Sequence, residues 1–345
     1  VKNFKRIIAG VGAATLAATM AACSEDSGAP EANKKSEYTI VFLAASSQNG
    51  YNQAVYKGIK AEAKALSSKL NLKVKTKIQD GQFDANTQLS QLQNAGTTGK
   101  ADAVIVVPQD GAALNAAFPL AHNIPVVSVL NPIGPDISDM KPQVDGVVST
   151  VASPPSHGAK LQAEAAVEYC KNINPCKIGL LAGLLNSPLD VNRVDTWKGV
   201  LKKHSNIKIV GTVEGAYDRD KSVTVVGNML QANKDINGII SNADQQTLGA
   251  QIALEDAGIS PKSVFLTGGG GTEEAVKAVK EGKWTNDFLN FPVTMGKAAT
   301  EQTLNSLRGK KVKKVVDADS IVDFGPIVTK KDLDAKPEWT GEWNG

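Results

Sequence analysis

Residues 103–130 read AVIVVPQDGAALNAAFPLAHNIPVVSVL, and this stretch decides the fold. Ala103–Val107 is an apolar run of strand length, Gly111–His122 carries helical spacing, and Pro125–Leu130 is a second apolar run. A strand with no polar face must be covered on both sides, and strand–helix–strand units do this by building a parallel sheet. The rhythm extends upstream. Tyr38–Ala45 (YTIVFLAA) is a strand, and Asn52–Leu70 a helix with Val55, Ile59, Ala63, Leu66 and Leu70 on one face. Leu72–Ile78 alternates apolar residues with Lys73, Lys75 and Lys77, as a half-exposed edge strand does. Asp84 is placed to cap a helix through Leu89, Leu92 and Ala95.

Downstream, the paired prolines of Val151-Ala152-Ser153-Pro154-Pro155 interrupt regular structure, and the alternation then restarts. The spacing predicts helices around Lys160–Tyr169, Asp195–Lys203, Lys221–Leu230, Leu248–Ala257 and Glu273–Lys280. Between and after them it predicts strands at Ile178–Leu181, Ile207–Val213, Gly238–Ser241, Ser263–Thr267 and Asp287–Phe291. Two such runs make an α/β chain of two doubly wound, parallel-sheet lobes. In open parallel sheets, ligands bind at the carboxyl ends of strands, where loops and helix N-termini converge. Those ends are Ser46–Asn52, Pro108–Asp110, Asn131, Gly183–Arg193, Tyr217–Asp218, Asn242–Gln245, Gly268–Gly271 and Asn290–Phe291. They are rich in Asn and Gln, whose amides offer donor and acceptor together and so suit hydroxyl groups better than phosphates.

The 345 residues are 42% apolar and 21% charged, the composition of a globular chain with room for two domains. The net charge of +3 comes from the first 22 residues, which hold Lys2, Lys5 and Arg6 and no acid; the remainder carries 35 basic against 35 acidic groups. A basic start followed by the uncharged Ile7–Ala22 reads as an export signal, too short for a permanent span. Met20-Ala21-Ala22-Cys23 resembles a bacterial lipoprotein signal, which implies lipidation of Cys23; a short transmembrane anchor is the alternative. Residues 24–37 (SEDSGAPEANKKSE) then form a polar spacer, so the protein is expected outside the cytoplasm, anchored to a membrane without crossing it. In that compartment Cys170 and Cys176, with five residues between them, are expected to oxidise to each other, with two buried free thiols as the alternative.

Motifs for chemistry are missing. No phosphate-binding Gly-x-x-x-x-Gly-Lys-Ser/Thr occurs, and the Gly268–Gly271 run lacks the spaced third glycine of a dinucleotide loop. There is no Gly-x-Ser-x-Gly elbow, and His122, His157 and His204 stand far apart, so neither a serine nucleophile's base nor a metal site is indicated. The acidic pairs Glu255/Asp256 and Glu273/Glu274 fall on predicted helices as solvated faces. Lys310-Lys311-Val312-Lys313-Lys314 reads as a solvated turn rather than a nucleic-acid site. The tail at 337–345 carries Trp339 and Trp343 without an evident role. No cofactor is expected and no catalysis is demanded.

From about Tyr38 to Leu333 the chain resembles the type I periplasmic substrate-binding proteins of the ribose- and galactose-binding group. The resemblance rests on ordered pieces: the first strand and Ser47-Gln48-Asn49-Gly50-Tyr51-Asn52, a helix through Gly58, and Ile124-Pro125-Val126-Val127. The Arg193–Trp197 spacing, the run from Asn242 to Ala250, the Gly-rich segment 268–271, and Gly282-Lys283-Trp284 before Asn290 continue it. It implies two Rossmann-like lobes joined by a three-strand hinge, with crossings near 151–155, 289–292 and 322–326 and a ligand trapped between the lobes. The lobes are then 38–152 plus 292–322 and 153–291 plus 323–336, preceded by the signal (1–22) and a linker (23–37) and followed by the tail (337–345). Carried over, the resemblance assigns ligand contacts to Asn49, Tyr51, Asn52, Asn131, Arg193, Tyr217, Asn242, Asp244, Gly270 and Asn290. Positions of the ribose-like proteins are changed, with three charged side chains lost: Leu130-Asn131 stands for Asp-Arg and Gly270 for an Asp, while Ala243 stands for the uncharged Asn of an Asn-Asp pair. A less charged pocket is therefore expected, occupied by a different polyol, a modified sugar or a larger neutral ligand. The resemblance implies a monomeric, lipid-anchored receptor that delivers a small polar solute to the membrane subunits of an ABC importer. A ligand sensor feeding a signalling partner is the alternative, and nucleic acid is not an expected partner.

Overall fold

The structure, a computed structural model, describes residues 35–121 and 123–345. The signal segment, most of the linker, Cys23 and His122 lie outside the described residues. Two six-stranded sheets form the frame. The first contains β1 (Glu37–Ala44), β2 (Lys73–Asp80), β3 (Ala103–Val106), β4 (Val126–Val129), β5 (Val147–Val151) and β11 (Val315–Val316), in the order β11-β5-β4-β3-β1-β2, all parallel. The second contains β6 (Cys176–Ala182), β7 (Ile207–Glu214), β8 (Gly238–Ser241), β9 (Phe265–Gly270), β10 (Asn286–Leu289) and β12 (Ile327–Thr329), in the order β12-β10-β9-β8-β6-β7. Only its β12 edge is antiparallel. The chain passes from one sheet to the other at 152–154, 290–291 and 317–326.

Helices cover both faces of each sheet, as strands without a polar face require. In the first lobe these are α1 (Gly50–Leu70), α2 (Ala85–Thr97), the short α3 (Gly111–Leu114) and α4 (Phe118–Ala121), and, after the second crossing, α10 (Pro292–Leu307). In the second they are α5 (Pro155–Cys170), α6 (Pro188–Leu201), α7 (Arg219–Ala232), α8 (Asp244–Asp256), α9 (Glu273–Lys280) and α11 (Lys330–Ala335). Ile40, Phe42 and Ile105 pack under α1 and α10 on one face of the first sheet, while Leu43, Val104 and Val106 pack with Leu92 and Phe118 on the other. The second sheet divides likewise between the Leu181–Ile239–Leu266 side and the Ile178–Leu180–Ile240 side with Trp197. Cys170, closing α5, is disulfide-bonded to Cys176, opening β6.

The helix expected over 111–122 is broken. Pro119 has no N–H to donate to Asn115, so an α-helical ladder cannot run through it, and Asn115–Ala117 tightens into a 3₁₀ turn. The Gly268–Gly271 run, expected as a loop, is mostly strand. Gly268, Gly269 and Gly270 pair in register with Asp287, Phe288 and Leu289 of β10. Helix α6 begins seven residues before the expected Asp195, at Pro188, whose fixed φ suits a first helical turn.

The tightest helix contact lies between α1 and α10. A Cβ on Gly58 would lie 2.0 Å from the Val293 carbonyl oxygen, and one on Gly296 2.2 Å from that of Val55. Both close approaches are to backbone, which cannot swing aside. Gly58→Val is therefore expected to cost about 3 kcal/mol of stability. Urea unfolding of the variant checks this; a midpoint equal to wild type counts against so close a crossing.

Candidate ligand-binding cleft

The carboxyl ends of the strands in both sheets converge on one cavity of about 610 Å³, part of it open to solvent. Its walls are aromatic and amide: Tyr51, Phe83, Tyr217 and Trp343 with Asn49, Asn52, Gln109, Asn242, Gln245 and Asn290, and Arg193 as the cationic side chain. Seven of the ten expected contact residues are thus brought together. Asn49 caps α1, its Oδ1 accepting from the Asn52 N–H at 3.2 Å, and Asn52 in turn accepts from the Ala45 N–H at 3.1 Å. The two amides fix the turn from β1 into α1 and with it the position of Tyr51.

On the opposite wall the organiser is Asp190, which is buried in the first turn of α6. Its carboxylate accepts from the Leu184 N–H (2.7 Å), the Tyr217 hydroxyl (2.7 and 2.9 Å), the Asn242 amide (2.6 Å) and Arg193 Nη1 (3.3 Å). Three of these partners line the cavity, so one carboxylate sets the aim of an arginine, a phenol and an amide. Burial pushes the Asp190 carboxyl up, while the Arg193 charge holds it down. Burial first, and then the Asp190 charge, raises the Tyr217 phenol well above its ordinary value; Tyr51 is raised by burial. Both phenols therefore stay protonated as donors at neutral pH. Gln246 completes the scaffold, accepting from the Tyr217 N–H at 2.6 Å and donating to Asn242 Oδ1 at 3.2 Å.

The two lobes meet across the cavity mouth through a matched pair of turns. Edge strand β2 ends in Gly81-Gln82-Phe83-Asp84, and edge strand β7 in Gly215-Ala216-Tyr217-Asp218. In each, the second and third residues are left-handed: φ is 55° and 53° in the first, 54° and 58° in the second. In each, the Asp caps the next helix, accepting at 2.6 Å from the N–H of Thr87 or Lys221. Left-handed backbone costs roughly 1–2 kcal/mol per non-glycine residue, so these turns persist because the cap and the ladder to the neighbouring strand over-determine them. The Phe83 and Tyr217 rings stack across the gap at 5.9 Å between centroids. Beside them Ser187 Oγ donates to the Gln109 carbonyl at 3.3 Å. The ring stack and this hydrogen bond join the two lobes across the mouth.

Three expected contacts lie off the wall. Asn131 is buried, with its amide donating to the Pro108 carbonyl at 3.2 Å; Leu130 takes the place on the cavity. Gly270 sits within β9, so Gly269 rather than Gly270 faces the cavity. Asp244 points away, into a buried carboxyl pair with Asp287. Asp244 Oδ2 accepts from the Thr272 N–H at 2.8 Å and Asp287 Oδ2 from the Gly271 N–H at 2.9 Å. Their Oδ1 atoms both crowd the bare Cα of Gly268, where a Cβ would lie 2.7 and 3.0 Å from them. Neighbouring buried carboxyls cannot both ionise. Burial raises Asp244 to about 6, and burial with the Asp244 charge pushes Asp287 well above the carboxylate range. The pair is a strut beneath the cleft.

Phe83 and Trp343 are the site residues outside every segment marked from the sequence, while Gln109, Asp190 and Gln245 lie within the marked strand ends without being named as contacts. The repeated Gly-x-aromatic-Asp pattern was a usable signal for Phe83. Nothing local marks Trp343.

A family model described as "Periplasmic binding protein domain" matches residues 40–311. The ribose import binding protein RbsB of Bacillus subtilis is 27% identical over 288 residues, covering 83% of this chain and 87% of that protein. A putative rhizopine-binding protein of Rhizobium meliloti is 28% identical over 335 residues, covering 95% and 97%. Among solved structures, an ABC transporter solute-binding protein from Mycobacterium smegmatis with bound glycerol superposes with a TM-score of 0.71 at 25% identity, covering 87% of this chain and 96% of that one.

Proposed function

The chain belongs to the periplasmic binding protein family, and from that premise we propose that it is a lipid-anchored receptor which captures a small, uncharged polar solute and delivers it to an ABC importer. The observation that carries this reading is the cavity wall: hydrogen-bonding amides and flat aromatic rings supplied by both lobes, with Arg193 held against Asp190. Amides satisfy hydroxyl groups as donors and acceptors together, and aromatic faces pack on the C–H faces of a sugar or polyol ring. Arg193, neutralised by Asp190, keeps further N–H groups for ligand oxygens without demanding an anion.

We take the lobes as 38–152 with 292–322 and 153–291 with 323–336, rotating about the three crossings. Ligand that touches both lobes favours the closed state by its extra affinity for that state. The closed surface is then what the importer's membrane subunits recognise. Relatives bearing the names of solute-binding proteins support this role, and Cys23 supplies the tether.

A thermal-shift screen of the full chain against D-ribose, D-galactose, L-arabinose, myo-inositol and glycerol tests the reading. A ligand at a hundred times its Kd is expected to raise the melting temperature by about 5 °C or more. Stimulation of the cognate transporter's ATPase by the liganded receptor then separates delivery from sensing. A flat screen across sugars and polyols overturns the solute class.

A further inference from the structure

Most of the segment 337–345 is exposed, and Trp343 is its one buried side chain. The segment crosses from one lobe to the other and inserts Trp343 into the cleft. Lys280 Nζ donates to the carbonyls of Pro337 (2.9 Å) and Trp339 (2.8 Å), and Trp339 stacks on Phe324 at 4.7 Å. Farther on, the Glu342 carboxylate accepts from the Val293 and Thr294 N–H groups, at 3.1 and 3.2 Å, and from the Thr294 hydroxyl at the start of α10. The segment thus fastens to α9 of the second lobe and α10 of the first. Immediately after Glu342 the Trp343 carbonyl accepts from the Glu273 N–H at 2.9 Å, and its indole Nε1 donates to the Gly270 carbonyl at 2.8 Å.

The indole has a slot made for it by two glycines. A Cβ on Gly270 would lie 3.1 Å from Trp343 Cζ2, and one on Gly50 3.3 Å from Trp343 Cζ3. One glycine ends a strand of the second lobe and the other opens α1 of the first. Tyr51 meets the indole edge-on at 5.9 Å, with an interplanar angle of 86°. Because Nε1 is spent on Gly270, the indole presents ring carbon to the cavity and no donor.

We propose that Trp343 is a ligand-contact and specificity-determining residue: segment 337–345 carries an aromatic wall into the cleft that selects cyclic polyols and sugars with an apolar C–H face over acyclic ones. The proposal rests on the solute-receptor reading above and specifies its ligand. A ring of C–H groups lies flat on indole carbon while its hydroxyls reach the amides of Asn49, Asn242 and Asn290; an acyclic polyol has no such face to offer. A side chain at Gly270 would meet the Asp244 carboxylate first, 2.5 Å from its Cβ, and would crowd the indole at 3.1 Å.

Calorimetric titration of the full chain with D-galactose, D-ribose, myo-inositol and glycerol tests this. For each ring compound that binds wild type, Trp343→Ala is expected to weaken binding at least tenfold and Trp343→Phe to restore it to within about threefold. Any glycerol binding should change less than twofold. Should the Ala variant melt below the titration temperature, Trp343→Leu replaces it, and affinity for ring compounds should fall in the order Trp, Phe, Leu. Equal ring affinities across the variants overturn the proposal while leaving the receptor reading intact. Wild type that binds none of the probes overturns the receptor reading and this proposal with it.

Discussion

Replacing Asp190 with Ala is expected to weaken ligand binding by about a hundredfold. The carboxylate is buried and accepts from four groups, three of which face the cavity. Without it the Arg193 guanidinium keeps its charge in a pocket where its side chain is 12% exposed and has no counter-charge. Breaking a buried pair by removing one partner costs about 3–5 kcal/mol, against about 1.4 kcal/mol for each tenfold in affinity. Part of that cost falls on folding, because the freed Tyr217 and Asn242 also lose their anchor; the remainder falls on the bound state, where Arg193 must turn to the ligand from a disordered start. Asp190→Asn keeps the shape and an acceptor but not the charge, and should fall between the two. Calorimetric Kd values beside melting temperatures check both variants. An Ala variant whose Kd stays within threefold of wild type removes the cluster from the binding site.

Raising the pH is expected to weaken the fold through the Asp244–Asp287 pair, opposite to the usual behaviour of surface carboxylates. Burial raises Asp244 to about 6, so between roughly pH 4 and pH 6 the folded chain holds a proton that the unfolded chain has already released. Stability from this group is complete below the unfolded value and is lost as pH rises through the folded one, by about 3 kcal/mol in all. Asp287, raised further, extends the decline above that window. Asp287→Asn replaces the shared proton with an amide that donates to Asp244 and has nothing to lose. Urea unfolding at pH 5 and pH 8 should show the wild type clearly weaker at the higher pH and the variant's difference at most half as large. Parallel declines in both proteins would sink the idea that the pair shares a proton.

The alternation of strands and helices was legible because each strand is buried on both faces and each helix repeats its apolar stripe. Strand Gly238–Ser241 and helix Glu273–Lys280 match residue for residue. What escaped was whatever depends on a distant partner. Gly268–Gly270 look like a loop until β10 is laid beside them, because their missing side chains make room for Asp244 and Trp284. Asp190 falls in a strand-end segment ahead of the expected helix and looks like an ordinary acid; its importance comes from Tyr217 and Asn242, 27 and 52 residues away. Asp244 sits where a cleft residue was expected and faces the opposite way, a choice made by the Thr272 N–H and not by its own neighbours. Trp343 meets Tyr51 and Gly270 only because the chain returns across both lobes, and no local pattern encodes a return.

The Phe83–Tyr217 stack has a consequence for how this receptor can be adjusted. It joins the lobes without needing a solute, and a stacked aromatic pair contributes about 0.5–1.5 kcal/mol. That shifts the unliganded open–closed ratio by a factor of about 2 to 10, and the same factor multiplies the apparent affinity for every ligand that binds the closed form. The turn pair therefore acts as a gain setting, and Tyr217, which it shares with the Asp190 cluster, ties that gain to the tuning. Because Phe83 also lines the cavity, a mutation there should rescale all affinities through this ratio and also shift their ranking through the ligand contact it removes, so sensitivity and selectivity are coupled at this position.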